Sequence, residues 1–214
     1  MTKKEQVLLI QKVFDDIYAD ADCTLEYTNA LHLLIATQLA AQCTDARVNT
    51  VTPALFERYP TVEAFAEADI AELEEYIKPT GFYHNKAKNI IACCKRLRDA
   101  YDSIVPDTME DLTSLAGVGR KTANLVLGDI FGKPGIVVDT HATRLANRIG
   151  LTKQSSPVKI EFELADIVPK EYQTRFCHQL VMHGRAVCNA RKPKCDICPI
   201  SVYCKKAGVE KNKK

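Results

Sequence analysis

Leu115-Ala116-Gly117-Val118-Gly119-Arg120-Lys121-Thr122-Ala123, followed by Val137-Val138-Asp139-Thr140-His141, lies within residues 112–141 and decides the reading of the chain. The first run is a turn of Gly-x-Gly type between two helices. Lys121 then falls in the first turn of the second helix, and Asp139 stands at the start of the next one. A free lysine amine has a pKa of about 10.4 and is a nucleophile only after losing its proton. The positive end of a helix disfavours an ammonium ion. Lys121 therefore sits where an amine is open to activation. The glycines ahead of it expose backbone N–H groups that can hold a phosphate. A phosphate grip beside such an amine points to chemistry on a nucleic-acid backbone. Plainer roles exist for each part: Lys121 as a phosphate contact, Asp139 as an N-cap, and Gly-Val-Gly as a simple helical corner.

Outward from this stretch nearly every segment has helical spacing. Thr2-Lys3-Lys4-Glu5 is a capping-box pattern, and Val7, Ile10, Val13, Phe14 and Ile17 follow at a helical period. Asn29 to Leu39 is apolar nearly all round, which predicts a buried helix. Helices are also predicted over Asp45–Tyr59, Thr61–Ala68, a segment capped at Asp69, and Asn85–Tyr101. A short helix capped near Asp107 leads into the hairpin, and Gly119–Phe131 leaves it. Asp139 or Thr140 caps a helix closed by Gly150, Ser156-Pro157 opens another, and Lys170–His183 is expected to stop at Gly184. Gly135 to Val138 is the one candidate strand, too short to start a sheet. The fold class is all-α.

The chain has 214 residues and a net charge of +2, spread unevenly. Residues 185–214 hold nine Lys or Arg, among them Arg185 and Lys192, against two acids, which leaves the remainder at −5. A basic end on an acidic body suggests a surface for polyanions. The part around the cysteines is read that way, and Lys211–Lys214 as a solvated tail. The apolar run Val7–Ile10 is too short for a signal-peptide core or a membrane span, so a cytosolic chain is expected.

Nine cysteines is an odd number that argues against a disulfide framework. Cys188, Cys195, Cys198 and Cys204, separated by six, two and five residues, form a tight loop that can close around one metal centre. Spacing alone leaves a four-cysteine zinc site and an iron–sulfur cluster equally open. Cys23, Cys43, Cys93, Cys94 and Cys177 sit in helical patterns and read as small apolar core residues.

Taken together, LAGVGRKTANLVL, VVDTH and the cysteine spacing resemble the endonuclease III family of helix-hairpin-helix DNA glycosylases with AP-lyase activity. The resemblance spans essentially the whole chain and implies a bifunctional base-excision repair enzyme, acting as a monomer on damaged double-stranded DNA, with oxidised pyrimidines the expected bases. It implies that Lys121 attacks C1′ and forms a Schiff base, that Asp139 is the catalytic carboxylate, and that the four cysteines hold a 4Fe–4S cluster. Gln42 would fill the gap left by the flipped nucleotide. Phe82, in Gly81-Phe82-Tyr83-His84-Asn85-Lys86-Ala87, stands where the family commonly has a leucine wedge, and core packing is the competing role. Gly117, Gly119, Arg120, His141, Arg185 and Lys192 complete the implied DNA contacts. Ala116 replaces a usual proline, which implies a less rigid hairpin.

The implied architecture is two helical lobes: 23–134, a helical barrel with the hairpin, and 1–22 with 135–214, the cluster domain. DNA would lie across the cleft between them, with Lys121 and Asp139 facing each other. An adenine mismatch glycosylase is the nearest rival, but it lacks the lysine and needs a glutamate that Leu33–Thr44 does not contain. A non-enzymatic DNA-binding redox module would not need Lys121 and Asp139 together.

Overall fold

Capping side chains set where the helices begin. In the computed structural model, which describes residues 1–209, the Thr2 hydroxyl accepts the Glu5 N–H and the Glu5 carboxylate accepts the Thr2 N–H, opening α1 (Lys3–Ile17). The basic tail Lys211–Lys214 lies outside the described residues. Asn29, Thr44, Thr61 and Asp69 each accept a first-turn N–H and so start α2 (Ala30–Leu39), α3 (Asp45–Arg58), α4 (Val62–Ala66) and α5 (Ile70–Ile77). Phe82 precedes α6 (Tyr83–Tyr101), Thr108 caps α7 (Met109–Thr113), and Gly119 precedes α8 (Arg120–Asp129). Asp139 caps α9 (Thr140–Ile149), which Gly150 closes in a left-handed conformation with φ 91°. Pro157 opens α10 (Pro157–Ile167), and α11 (Gln173–Ala186) follows a short 3-10 turn.

No strand forms among the described residues, so the chain is all-helical. Residues 135–138, the candidate strand, are an irregular buried segment. The Val137 N–H donates to Cys177 Sγ at 3.2 Å, so a side chain and not a ladder satisfies that donor. A second correction concerns Gly184, which does not stop its helix but lies inside α11.

The described chain divides into two compact units, Cys23–Lys133, and Met1–Asp22 with the chain from Pro134 onward. In the first, α2 is the axis. Leu31, Leu33, Leu34, Ile35, Ala36 and Leu39 are all buried, which accounts for a helix apolar on every side. Leu55, Phe65, Leu73, Ile77, Ile90, Leu97, Leu112 and Val126, from all six other α-helices of the unit, join the same core. Cys93 and Cys94 are buried there as small apolar residues, while Cys23 and Cys43 pack half-buried against it. The second unit buries Val7, Ile10 and Phe14 of α1, Leu145 and Ile149 of α9, Ile160 and Leu164 of α10, and Phe176, Cys177 and Leu180 of α11. Gln6 Nε2 ties α1 to the Ile149 carbonyl at 3.1 Å and to the Tyr203 carbonyl at 2.6 Å. Among the described residues no helix is long and apolar enough to cross a membrane.

The axial role of α2 has a measurable consequence. Leu34→Ala removes a fully buried side chain from the middle of the core, and denaturant unfolding should show a loss of about 3 kcal/mol. A loss below about 1 kcal/mol would contradict the placement of α2 at the centre of the unit.

Candidate active site and metal centre

In the Cys23–Lys133 unit, α7 and α8 are joined by the predicted turn. Leu115 and Val118 are buried and anchor it, and the Val118 N–H donates to the Leu115 carbonyl at 3.2 Å. Gly117 between them has φ 75°, and a Cβ there would lie 2.7 Å from Gln38 Oε1 and 3.0 Å from Asn89 Cβ. Backbone conformation and close approach thus both require glycine. Gly119 has open space around it and no side chain to cap α8, so no side chain of its own occupies the first-turn N–H groups. Lys121 is exposed on that first turn and Arg120 is half-buried beside it.

The same unit carries Gln42 and Phe82, both in the left-handed region, at φ 54° and 50°. Gln42 is exposed in the turn between α2 and α3. Phe82 is 62 % exposed, so the core-packing role falls away. Non-glycine residues rarely take this backbone conformation, and a large aromatic left in water adds a second cost. Neither residue is placed there by its own preference.

In the other unit Asp139 is half-buried, and its Oδ1 accepts the Ala142 N–H at 2.7 Å. The cap fixes the carboxylate on the backbone of α9. One turn on, Arg144 Nη2 lies 3.0 Å from His141 Nδ1 and donates to the Gly184 and Cys188 carbonyls at 3.1 Å. Arg148, a further turn on, donates to the Asn189 carbonyl at 2.7 Å and the Ala190 carbonyl at 2.6 Å. Gly184 is what lets α9 and α11 meet: a Cβ there would lie 2.5 Å from His141 Nδ1.

Cys188, Cys195, Cys198 and Cys204 line one cavity together with Leu145, Ile149, Val187 and Ile200. No disulfide forms among the described residues. Arg148 Nη1 reaches Cys188 Sγ at 3.5 Å, and the Lys206 N–H reaches Cys204 Sγ at 3.3 Å. His183 Nε2 lies 3.5 Å from Cys198 Sγ, and its Nδ1 lies 3.0 Å from the Tyr18 hydroxyl. Burial pushes the His183 imidazole down to about 4, so it is neutral near pH 7. With the Tyr18 hydroxyl donating to Nδ1, the Nε2–H faces the sulfur. Burial also raises the Cys198 and Cys204 thiols, and the neighbouring sulfurs add to this. Four thiols gathered in a mostly apolar cavity suit a centre that supplies positive charge and takes N–H···S bonds from its surroundings, as an iron–sulfur cluster does.

Arg185 and Lys192 are exposed in this unit. Sequence reasoning gave Arg144 and Arg148 no role and took Gly184 only as a helix stop. Arginines four apart on an amphipathic helix were the one available signal, and they read equally well as a solvated face.

A family profile of HhH-GPD superfamily base excision DNA repair proteins matches residues 35–170, and one for the iron–sulfur binding domain of endonuclease III matches residues 188–204. Endonuclease III of Synechocystis is 47 % identical over 207 residues, covering 96 % of this chain and 94 % of its own. A solved non-covalent endonuclease III–DNA complex superposes with a TM-score of 0.91 at 40 % identity, covering 96 % of this chain and 97 % of the other. A trapped endonuclease III–DNA covalent intermediate gives 0.90 at the same identity and coverage.

The packing at Gly184 is open to test. Gly184→Ala forces a methyl group against His141 and Arg144 and so disturbs the arginine that holds the Cys188 carbonyl. The purified variant should have less iron and weaker visible absorption than the unsubstituted protein. Full iron content and an unchanged melting temperature would show that the close approach is dispensable.

Proposed function

This chain belongs to the endonuclease III family of HhH-GPD superfamily base excision DNA repair proteins, and we propose that Lys121 and Asp139 carry its chemistry. It is a base-excision repair enzyme, a bifunctional DNA glycosylase and AP lyase with an iron–sulfur cofactor. The observation that carries the residue assignment is the exposed lysine on the first turn of α8, behind a glycine turn that leaves the helix N-terminus uncapped; Asp139 is a carboxylate pinned by its own helix cap.

The duplex is gripped first. Gly117, Gly119 and Arg120 present backbone N–H groups and a cation to phosphates, contacts that position the protein without reading sequence. Arg185 and Lys192 add cations from the other unit. C1′ of a stacked nucleotide is out of reach, so the damaged nucleotide leaves the helix. Gln42 fills the gap and Phe82 wedges beside it. The Lys121 amine then attacks C1′ as the glycosidic bond breaks, and the base leaves with the bonding electrons. The Asp139 carboxylate stabilises the positive charge that develops on the sugar. Ring opening gives a Schiff base between Lys121 and C1′. Loss of a C2′ proton then expels the 3′ phosphate and breaks the strand. His141, held by Arg144, steadies the helix that Asp139 starts.

Cys188, Cys195, Cys198 and Cys204 would hold a 4Fe–4S cluster. Bound there, it would tie the four thiolates into one fixed anionic centre whose charge the surrounding lysines and arginines offset, and it would perform no bond cleavage. Cys23–Lys133 serves as the hairpin domain and the remainder as the cluster domain. The substrate class is damaged double-stranded DNA, with oxidised pyrimidines foremost. The enzyme works as a monomer in the cytoplasm, on the nucleoid while bound.

Two substitutions separate charge from scaffold. Lys121→Gln should abolish the adduct that borohydride traps on abasic DNA while leaving DNA binding intact. Asp139→Asn keeps a good capping side chain, so unfolding should shift by less than about 0.5 kcal/mol while base release slows at least about a hundredfold. An adduct persisting in the glutamine variant, or full activity in the asparagine variant, would remove these residues from the mechanism.

A further inference from the structure

Lys86, on the first turn of α6, is only 6 % exposed. Its ammonium donates to the Leu39 carbonyl at 2.8 Å and to the Thr80 carbonyl at 2.9 Å. Leu39 is the last residue of α2, and its carbonyl is one of those a helix leaves without an intrahelical partner. Thr80 closes the 3-10 turn Lys78–Thr80. Both acceptors lie at the negative ends of helical segments, where a cation is favoured. Burial still holds this lysine below the ordinary lysine range. A buried cation is expensive to keep, and an apolar side chain in its place often serves stability as well or better.

What lies beyond the two carbonyls gives the cation a purpose. Gln42 stands three residues after Leu39, and Phe82 two residues after Thr80. Both are exposed and both hold a left-handed backbone. Such conformations persist only where the surroundings over-determine them. Lys86 is the fixed point that the two turns share.

We propose that Lys86 is a positioning residue that latches the Gln42 turn to the Phe82 turn, so that the two side chains enter the duplex as one preset unit. This deepens the reading above and rests on its assignment of Gln42 and Phe82 to the space beside the extruded nucleotide. Lys86 acts through these turns and does not itself touch the reacting atoms. Preset geometry spares the cost of ordering two turns on binding. The benefit is confined to substrates whose nucleotide must be pulled from a stack.

The test compares borohydride trapping by the cluster-replete enzyme on an abasic site in duplex and in single-stranded DNA. Lys86→Met should slow single-turnover adduct formation at least about tenfold on the duplex and less than about twofold on the single strand, where no stack is opened. A 2-aminopurine opposite the site should brighten less with the variant than with the unsubstituted enzyme. Equal losses on both substrates, or an unchanged duplex rate, would overturn the latch and leave Lys86 a general structural residue. Should the methionine variant fail to fold, Lys86→Arg is compared on the same two substrates. A double-mutant cycle with Lys86 in place gives an independent result. Gln42→Ala and Phe82→Ala should be non-additive on duplex DNA, because latched turns act as a unit. Additive losses would count against the latch. An unsubstituted enzyme that forms no adduct on either substrate would instead refute the lyase reading itself.

Discussion

The 2.7 Å contact between Asp139 Oδ1 and the Ala142 N–H fixes the start of α9, and much of its unit follows from where α9 starts. With that start set, Arg144 and Arg148 fall one turn apart on one face. Their guanidinium groups take up the carbonyls of Gly184, Cys188, Asn189 and Ala190. The loop that brings four sulfurs to one cavity is therefore held chiefly from α9, with Lys194 Nζ of the loop adding a bond to the Ala186 carbonyl at 3.1 Å. A carboxylate that caps a helix is also a carboxylate with a fixed direction, so capping and catalysis are not competing uses of Asp139. Removing a cap of this kind costs about 1 kcal/mol, a modest loss beside a misplaced charge at a reacting centre.

The Cys23–Lys133 unit works from helix ends as well, with the signs reversed. At Gly119 a helix begins without a capping side chain, and its N–H groups suit an anion. At Leu39 a helix ends on a buried ammonium. The α2 axis is the buried centre of the unit, and Gln42, Phe82 and Gly117 sit on turns tied to its C-terminal end. Binding groups on turns held by a packed scaffold are a common division of labour.

Most helix starts were legible because capping is local. Thr2 with Glu5, Asp69 with Glu72, and Asn29 ahead of an apolar run each state a boundary within four residues. The cysteine spacing was legible for the same reason, although choosing iron–sulfur over zinc required the family match. What escaped depended on distant partners. Lys86 reads as a solvated helical lysine until its acceptor 47 residues earlier is known. Gly184 reads as a helix stop, because glycine often is one, yet His141 dictates it. The Val137 segment looked like a strand because it is apolar and β-branched, and burial against α11 explains that composition without a sheet. Phe82 could not be assigned by hydrophobicity, which favours burial, and its exposure speaks only against a core role.

At the centre of this account is an amine at the start of α8 that becomes covalently joined to the damaged nucleotide. The most direct measurement is to reduce the complex with borohydride, digest it, and locate the modified residue by mass spectrometry. The account predicts a single DNA-derived modification on the peptide containing Lys121. A modification on any other lysine, or on the chain's N-terminal amine, would contradict it.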